Sequence, residues 1–272
     1  MAASCEVDLE RVRGLQLLLD PDGTPLRVGD PLPPLWHWAA LPRWADPAGT
    51  GADGHPLRPD ALAGVTAVRR MFAGGQVWFA DDPVRIGDRV TVSTEVGEVT
   101  TKSGRSGEFV LASFETVVAK DGQVLLRERQ DVVYTDPRPG PAGAPSGPLP
   151  VVGRPFVALG NGSAELRTDP SVLLRFSALT ANAHRIHYDL AYAQQIEKLP
   201  GLLVHGPLMS LALVQLTAGR AVRRITHRSL SPLYCGQLAR LHATESDGVV
   251  TAEITGPGDP AVKCRVTIEE QS

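Results

Sequence analysis

Residues 182–189 read Asn-Ala-His-Arg-Ile-His-Tyr-Asp, and six of these eight side chains can hydrogen-bond or carry charge. Such a cluster admits three readings. His184 and His187 stand three apart, a spacing at which neutral imidazoles on a helical turn can share a metal ion. Arg185 lies between them, however, and no third ligand stands out, so no metal is expected. A histidine titrates near pH 6.5 and can take up and return a proton near neutrality, which suits general acid–base work. The bland alternative is a polar loop. About 20 residues downstream, His205-Gly206-Pro207 opens an apolar run. Proline is a favoured first helical residue, and the free N–H groups of a helix start stabilise negative charge.

The elements that hold these residues follow from pattern. The 272 residues are 43% hydrophobic and 21% charged, a globular composition with ample length for a core. A net charge of −3 without a basic tract argues against nucleic acid as a partner. The three cysteines, Cys5, Cys235 and Cys264, form no Cys-x-x-Cys, so neither a disulfide framework nor a structural zinc site is expected. The N-terminus lacks a secretory pattern, and the longest apolar run, residues 201–219, contains His205 and Pro207. A cytoplasmic protein that does not engage membranes is therefore expected.

A stretch rich in Pro and Gly at 135–155 divides the chain. The organisation expected is an N-terminal half at 1–140, a linker at 141–155 and a C-terminal half at 156–272. The first half reads as a short helix around 33–45, then strand-like runs with a hairpin turn at Lys120-Asp121-Gly122-Gln123. In the second half, 170–179 is expected to be a strand, followed by the polar cluster and a helix from about Pro207 to Arg220. Strands over 231–248, 249–260 and 261–270 complete it. Periodicity supports an α+β class with two similar halves, each a helix followed by an antiparallel meander.

The motifs go further. Thr180–His187, "TANAHRIH", resembles the active-site stretch of MaoC-like hydratases and dehydratases, with His187 at the histidine position and Asn182 where that family usually carries Asp. A branch with Asn at that place, the type 2 hydroxyacyl-thioester dehydratases and the mesaconyl-CoA or methylfumaryl-CoA hydratases, is matched more closely. "HRIHYD", "GLLVHGPL", "RRMFAGGQVWF", "PVRIGDRV", "KSGRSGEFV" and "ERQDVVY" all resemble it, so the likeness covers most of the chain. It implies a double hot dog whose halves form one continuous sheet. The first half would be a FAS1-like dehydratase type that supports substrate and CoA, and the second the MaoC-like catalytic half.

The resemblance also implies a hydro-lyase that reversibly hydrates a 2-enoyl thioester, such as a mesaconyl-CoA-like one, or dehydrates the 3-hydroxyacyl thioester. No separate cofactor is implied, because CoA or phosphopantetheine arrives as part of the substrate. The partner is an acyl-CoA or acyl-carrier-protein thioester, and a homo-oligomer, in its simplest form a dimer, is expected. His187 is then the acid/base and Asn182, which cannot be a base, holds the water through its oxygen. The Gly206 N–H would stabilise the thioester oxyanion. His184, Arg185, Tyr188 and Ala181 are expected at the substrate, and Lys102, Arg105 and Arg70 at its phosphates or a carboxylate. His205 reads as a satisfied histidine at the helix mouth, and His37, His55, His227 and His242 receive no role. The branch usually carries Phe and Gly where this chain has Ala181 and Ala183, which predicts a roomier pocket and a bulkier acyl group. Two other readings stay open: a hot-dog acyl thioesterase, for which Asn182 removes the obvious carboxylate base, and a non-catalytic acyl-thioester-binding paralogue.

Overall fold

A computed structural model describes residues 2–104, 107–140 and 143–271. The first half contains β1 (Ala3–Glu6), α1 (Leu9–Leu19), α2 (His37–Ala40), β2 (Arg69–Phe79), β3 (Arg89–Gly104), β4 (Gly107–Lys120) and β5 (Gln123–Thr135). The second contains β6 (Phe156–Gly160), β7 (Ser163–Leu166), α3 (Pro170–Leu179), α4 (Leu190–Gln195), α5 (Gly206–Leu216), β8 (Val222–Ser229), β9 (Ala239–Ser246), β10 (Val249–Thr255) and β11 (Val262–Glu270). Residues 143–155 hold no helix or strand, and Pro141 and Ala142 of the expected linker lie outside the described residues. No helix among the described residues is long and apolar enough to cross a membrane.

Among the described residues, eleven strands join one antiparallel sheet in the order β1-β3-β4-β5-β2-β8-β11-β10-β9-β7-β6. The halves meet where β2 pairs with β8, in a register that sets Gly75 against His227 and Val77 against Ile225. The fold is an α+β double hot dog. In the second half the sheet wraps α5, whose residues 208–214 are all buried. Each of its buried leucines contributes about 2 kcal/mol relative to exposure. The expected hairpin turn at Asp121-Gly122 has positive φ at both residues, as a two-residue turn matched to strand twist requires, and Asp247-Gly248 repeats it.

Residues 170–179, expected as a strand, are the helix α3. Asp169 caps it, its Oδ1 accepting from Val172 N at 2.9 Å, and Pro170 takes the first turn. Val172, Leu173 and Phe176 are buried at helical spacing. The strand expected over 231–248 is confined to β9, because 231–238 forms a loop with Gly236 at φ +81°. Helix α1 was not anticipated, although Asp8 caps it and Val12, Leu15, Leu18 and Leu19 make its buried stripe.

Candidate active site

Thr180 ends α3 by bonding back to Phe176 O, and Ala181 at φ +51° turns the chain. Asn182 Oδ1 then accepts from His184 N at 3.0 Å, a local turn that commits one lone pair of the amide oxygen. One short helical turn, Arg185–His187, follows. Leu203 pins it from both sides: its N–H donates to Ile186 O at 3.0 Å, and its carbonyl accepts from His187 Nδ1 at 2.7 Å. A carbonyl can only accept, so the proton of neutral His187 sits on Nδ1 and the lone pair on Nε2. The ring is buried and lies flat on His205, centroids 3.5 Å apart. Burial and then the neighbouring His184 hold its pKa down to about 3, against a smaller upward pull from the Leu203 carbonyl.

His205 is fully buried at the start of α5. Its Nε2 meets Ser177 Oγ at 2.9 Å, but Nδ1 has no partner among the described residues, so this histidine is only half satisfied. Gly206 follows as the first helical residue, with an N–H that the helix cannot satisfy. A Cβ there would stand 2.6 Å from Phe72 Cδ1 and 2.8 Å from Ser229 Oγ, so a side chain at this position would force both neighbours to move.

The first half closes over this loop. Residues 49–57 fold on themselves through Gly51 N to His55 O and Leu57 N to Gly49 O. Asp53 accepts from His55 N with one carboxylate oxygen and from Arg70 Nε with the other, at 3.0 and 2.9 Å. Its carbonyl takes Arg185 N at 2.9 Å, and Ala52 O takes the Arg185 guanidinium at 3.1 Å. This docking places the His55 ring 4.5 Å from that of His184. Behind them, Arg69 from β2 donates to Glu197 Oε2 at 2.7 Å, and His184 Nε2 lies 4.0 Å from Glu197 Oε1. Burial pushes the Glu197 carboxyl up, but His184 and Arg69 more than reverse this and hold it below the usual carboxylate range.

A cavity of about 770 Å³ opens between the halves. Asn182, His184, His187 and Gly206 line it from the second half, and His55, Arg69, Arg70, Phe72 and Tyr134 from the first. Of the residues expected from sequence, it therefore unites Asn182, His184, His187, Gly206 and Arg70. Arg185 is not on its wall: it pairs with Asp189 at 2.8 Å and covers the Tyr192 ring. Asp189 caps α4, its Oδ1 accepting from Tyr192 N at 3.0 Å, and the His187 ring is oriented by the Leu203 carbonyl. Tyr188 points outward and donates to Ala183 O. Lys102 is exposed near the far end of β3, and Arg105 lies outside the described residues. Ala181 turns the backbone and is not among the residues that line the cavity. His55 and Tyr134 were not anticipated. His55 stood in a long non-periodic loop, and Tyr134 closed the "ERQDVVY" stretch without being singled out.

A profile described as hydroxyacyl-thioester dehydratase type 2 matches residues 35–235. The chain belongs to this family. It is 39% identical over 257 residues to the mesaconyl-C(4)-CoA hydratase of Chloroflexus aurantiacus, covering 92% of this chain and 87% of that protein. Among solved structures, HtdX of Mycobacterium tuberculosis superposes over the full length of both chains with a TM-score of 0.68 at 17% identity. A second M. tuberculosis protein, described as having a double hotdog fold, matches all of this chain and 96% of its own with a TM-score of 0.50 at 16% identity. These structural likenesses concern the fold. Membership of the hydroxyacyl-thioester dehydratase family makes the chain a hydro-lyase.

Proposed function

We propose that this enzyme adds water across the double bond of a 2-enoyl-CoA thioester, and in reverse dehydrates the 3-hydroxyacyl thioester. The observation that carries the reading is the Nδ1–H of His187 donating to Leu203 O, which leaves Nε2 as a base in the cavity that also holds Asn182 and the start of α5. Water bound near Asn182 gives a proton to His187 Nε2 while its oxygen bonds to the β-carbon. Charge moves to the thioester oxygen, where the Gly206 N–H and the helix start hold it. The imidazolium then returns its proton to the α-carbon, so one water is consumed and the base is regenerated.

Neutral His187 suits the first step, since its lone pair is available throughout the neutral range. Asn182 retains one oxygen lone pair and both amide hydrogens for water, because only one lone pair serves His184 N–H. The test is to offer crotonyl-CoA and follow loss of the conjugated thioester band together with any free thiol. Loss of the band without thiol supports hydration. Thiol release would mark a thioesterase, and binding without either would mark an inactive module.

A further inference from the structure

The tip of α5 offers the thioester oxyanion the N–H of Gly206, but the next residue, Pro207, has none to add. Oxyanion sites commonly aim a pair of donors at the charge that develops. Ser229, the last residue of β8, stands beside this tip. Ile225 and His227 precede it at two-residue intervals and are fully buried, so Ser229 is the third position on the inward face of the strand. Pairing with Cys264 on β11 fixes its backbone. Its Oγ lies 2.8 Å from the point where a Gly206 Cβ would stand, and both residues line the cavity. Phe72, the other neighbour of that point, is held by stacking on His227 with ring centroids 5.2 Å apart. The Ser229 Oγ is buried and has no hydrogen-bond partner among the described residues. A buried hydroxyl left unpaired works against the folded state, so it needs a reason to be there.

We propose that Ser229 is a catalytic residue whose hydroxyl turns about its Cα–Cβ bond and donates to the thioester oxyanion beside the Gly206 N–H. This rests on the hydratase reading above. A serine hydroxyl carries one proton and rotates to meet an acceptor. In the free enzyme no acceptor is in place, which accounts for the unpaired Oγ. The thioester oxygen supplies one. Toward the neutral carbonyl of the bound substrate the hydrogen bond is ordinary. Toward the oxyanion it is charge-assisted and stronger, so it favours the transition state over the bound substrate. Ser229 transfers no proton. It keeps its own while charge gathers on the oxygen, and the charge leaves when the α-carbon takes the proton from His187.

The test compares wild type with Ser229→Ala, which removes one oxygen and keeps the Cβ. Hydration of crotonyl-CoA gives kcat and KM, and urea melts give stability. Difference infrared spectra of bound butyryl-CoA, isotopically labelled at its carbonyl carbon, report how strongly the thioester is polarised. Butyryl-CoA has no double bond to hydrate, so its band belongs to a stable complex. Ser229→Ala should lower kcat at least about tenfold, the loss expected for one hydrogen bond to a charged acceptor, and leave KM within about threefold. The carbonyl band, shifted to lower wavenumber on binding to wild type, should move back toward its free position. The urea midpoint should not fall, because the hydroxyl has no partner to lose in the free protein. A smaller loss of kcat overturns the assignment and leaves the hydratase reading intact. So does a loss of kcat with the carbonyl band unmoved, or a lowered midpoint, since either makes the hydroxyl a packing group. A wild type that does not hydrate crotonyl-CoA overturns the reaction itself, and the role of Ser229 with it.

Discussion

His187 and Asn182 occupy one loop, and their contacts separate their roles. His187→Gln keeps a polar side chain of similar length but removes the base. Turnover of an enoyl thioester should fall by about a hundredfold or more with the circular dichroism spectrum unchanged. Near-normal turnover would exclude His187 as the proton carrier. Asn182→Ala loses both the water contact and the acceptor for His184 N–H, so it should be severely impaired and also destabilised by about 1 kcal/mol in urea melts. Asn182→Asp keeps that acceptor and should retain part of the activity. If Asn182→Ala matches wild type, the residue has no part in the reaction. That these two positions and Gly206 would meet at one site was legible in sequence because each of the two short motifs, 182–189 and 205–207, is contiguous and its chemistry restrictive. Arg185 and Tyr188 stood in the same motif, but a turn of 3₁₀ helix carries them to its outer side, where they bind Asp189 and Ala183. Sequence neighbours on a tight turn share a motif without sharing a wall.

The element that completes the cavity is the loop at 49–57, for which pattern offered only a long connection. Its docking depends on Gly54, at φ +88°, where a Cβ would stand 1.9 Å from Ala183 O. A flexible side chain could move aside, but this contact is with the backbone that follows Asn182. Gly54→Ala should therefore cost a few kcal/mol through strain and displaced contacts, and should impair turnover although residue 54 touches no substrate. Urea melts combined with steady-state kinetics would test this, and a variant with wild-type stability and turnover would show that the loop is not docked as described. Strand positions, by contrast, were read well wherever Asp-Gly turns punctuated alternating apolar residues. Helix α3 was missed because Leu, Val and Phe also suit strands; its capping Asp169 and Pro170 were the decisive signals and were not used.

Across the whole molecule, the two-half plan was visible in composition and the continuous sheet was implied by the family resemblance, but which strands form the seam was not legible, since strand pairing between halves leaves no local pattern. Along that seam lie histidines kept neutral by burial. His227 on β8 is held down to about 4, His187 to about 3 and His55 to about 2, with His205 also well below its ordinary value. For His227, burial leads, His37 adds to it, and Glu128 and Asp131 oppose it. The unfolded chain binds a proton at each of these rings as pH falls below about 6.5, whereas the folded chain does not. The neutral rings thus favour the folded state fully above that pH, and their contribution is lost as pH falls toward the folded values. The slope is up to about 1.4 kcal/mol per histidine for each pH unit, so one unit below 6.5 should remove a few kcal/mol in all. Urea midpoints taken at pH 7.5, 6.5 and 5.5 should drop mainly across the second interval, well above the range in which carboxylates titrate. The denaturant slope should stay constant, because the buried surface does not change. A flat midpoint down to pH 5.5 would mean that these rings already accept protons in the folded protein, and that the seam admits water as the histidines charge.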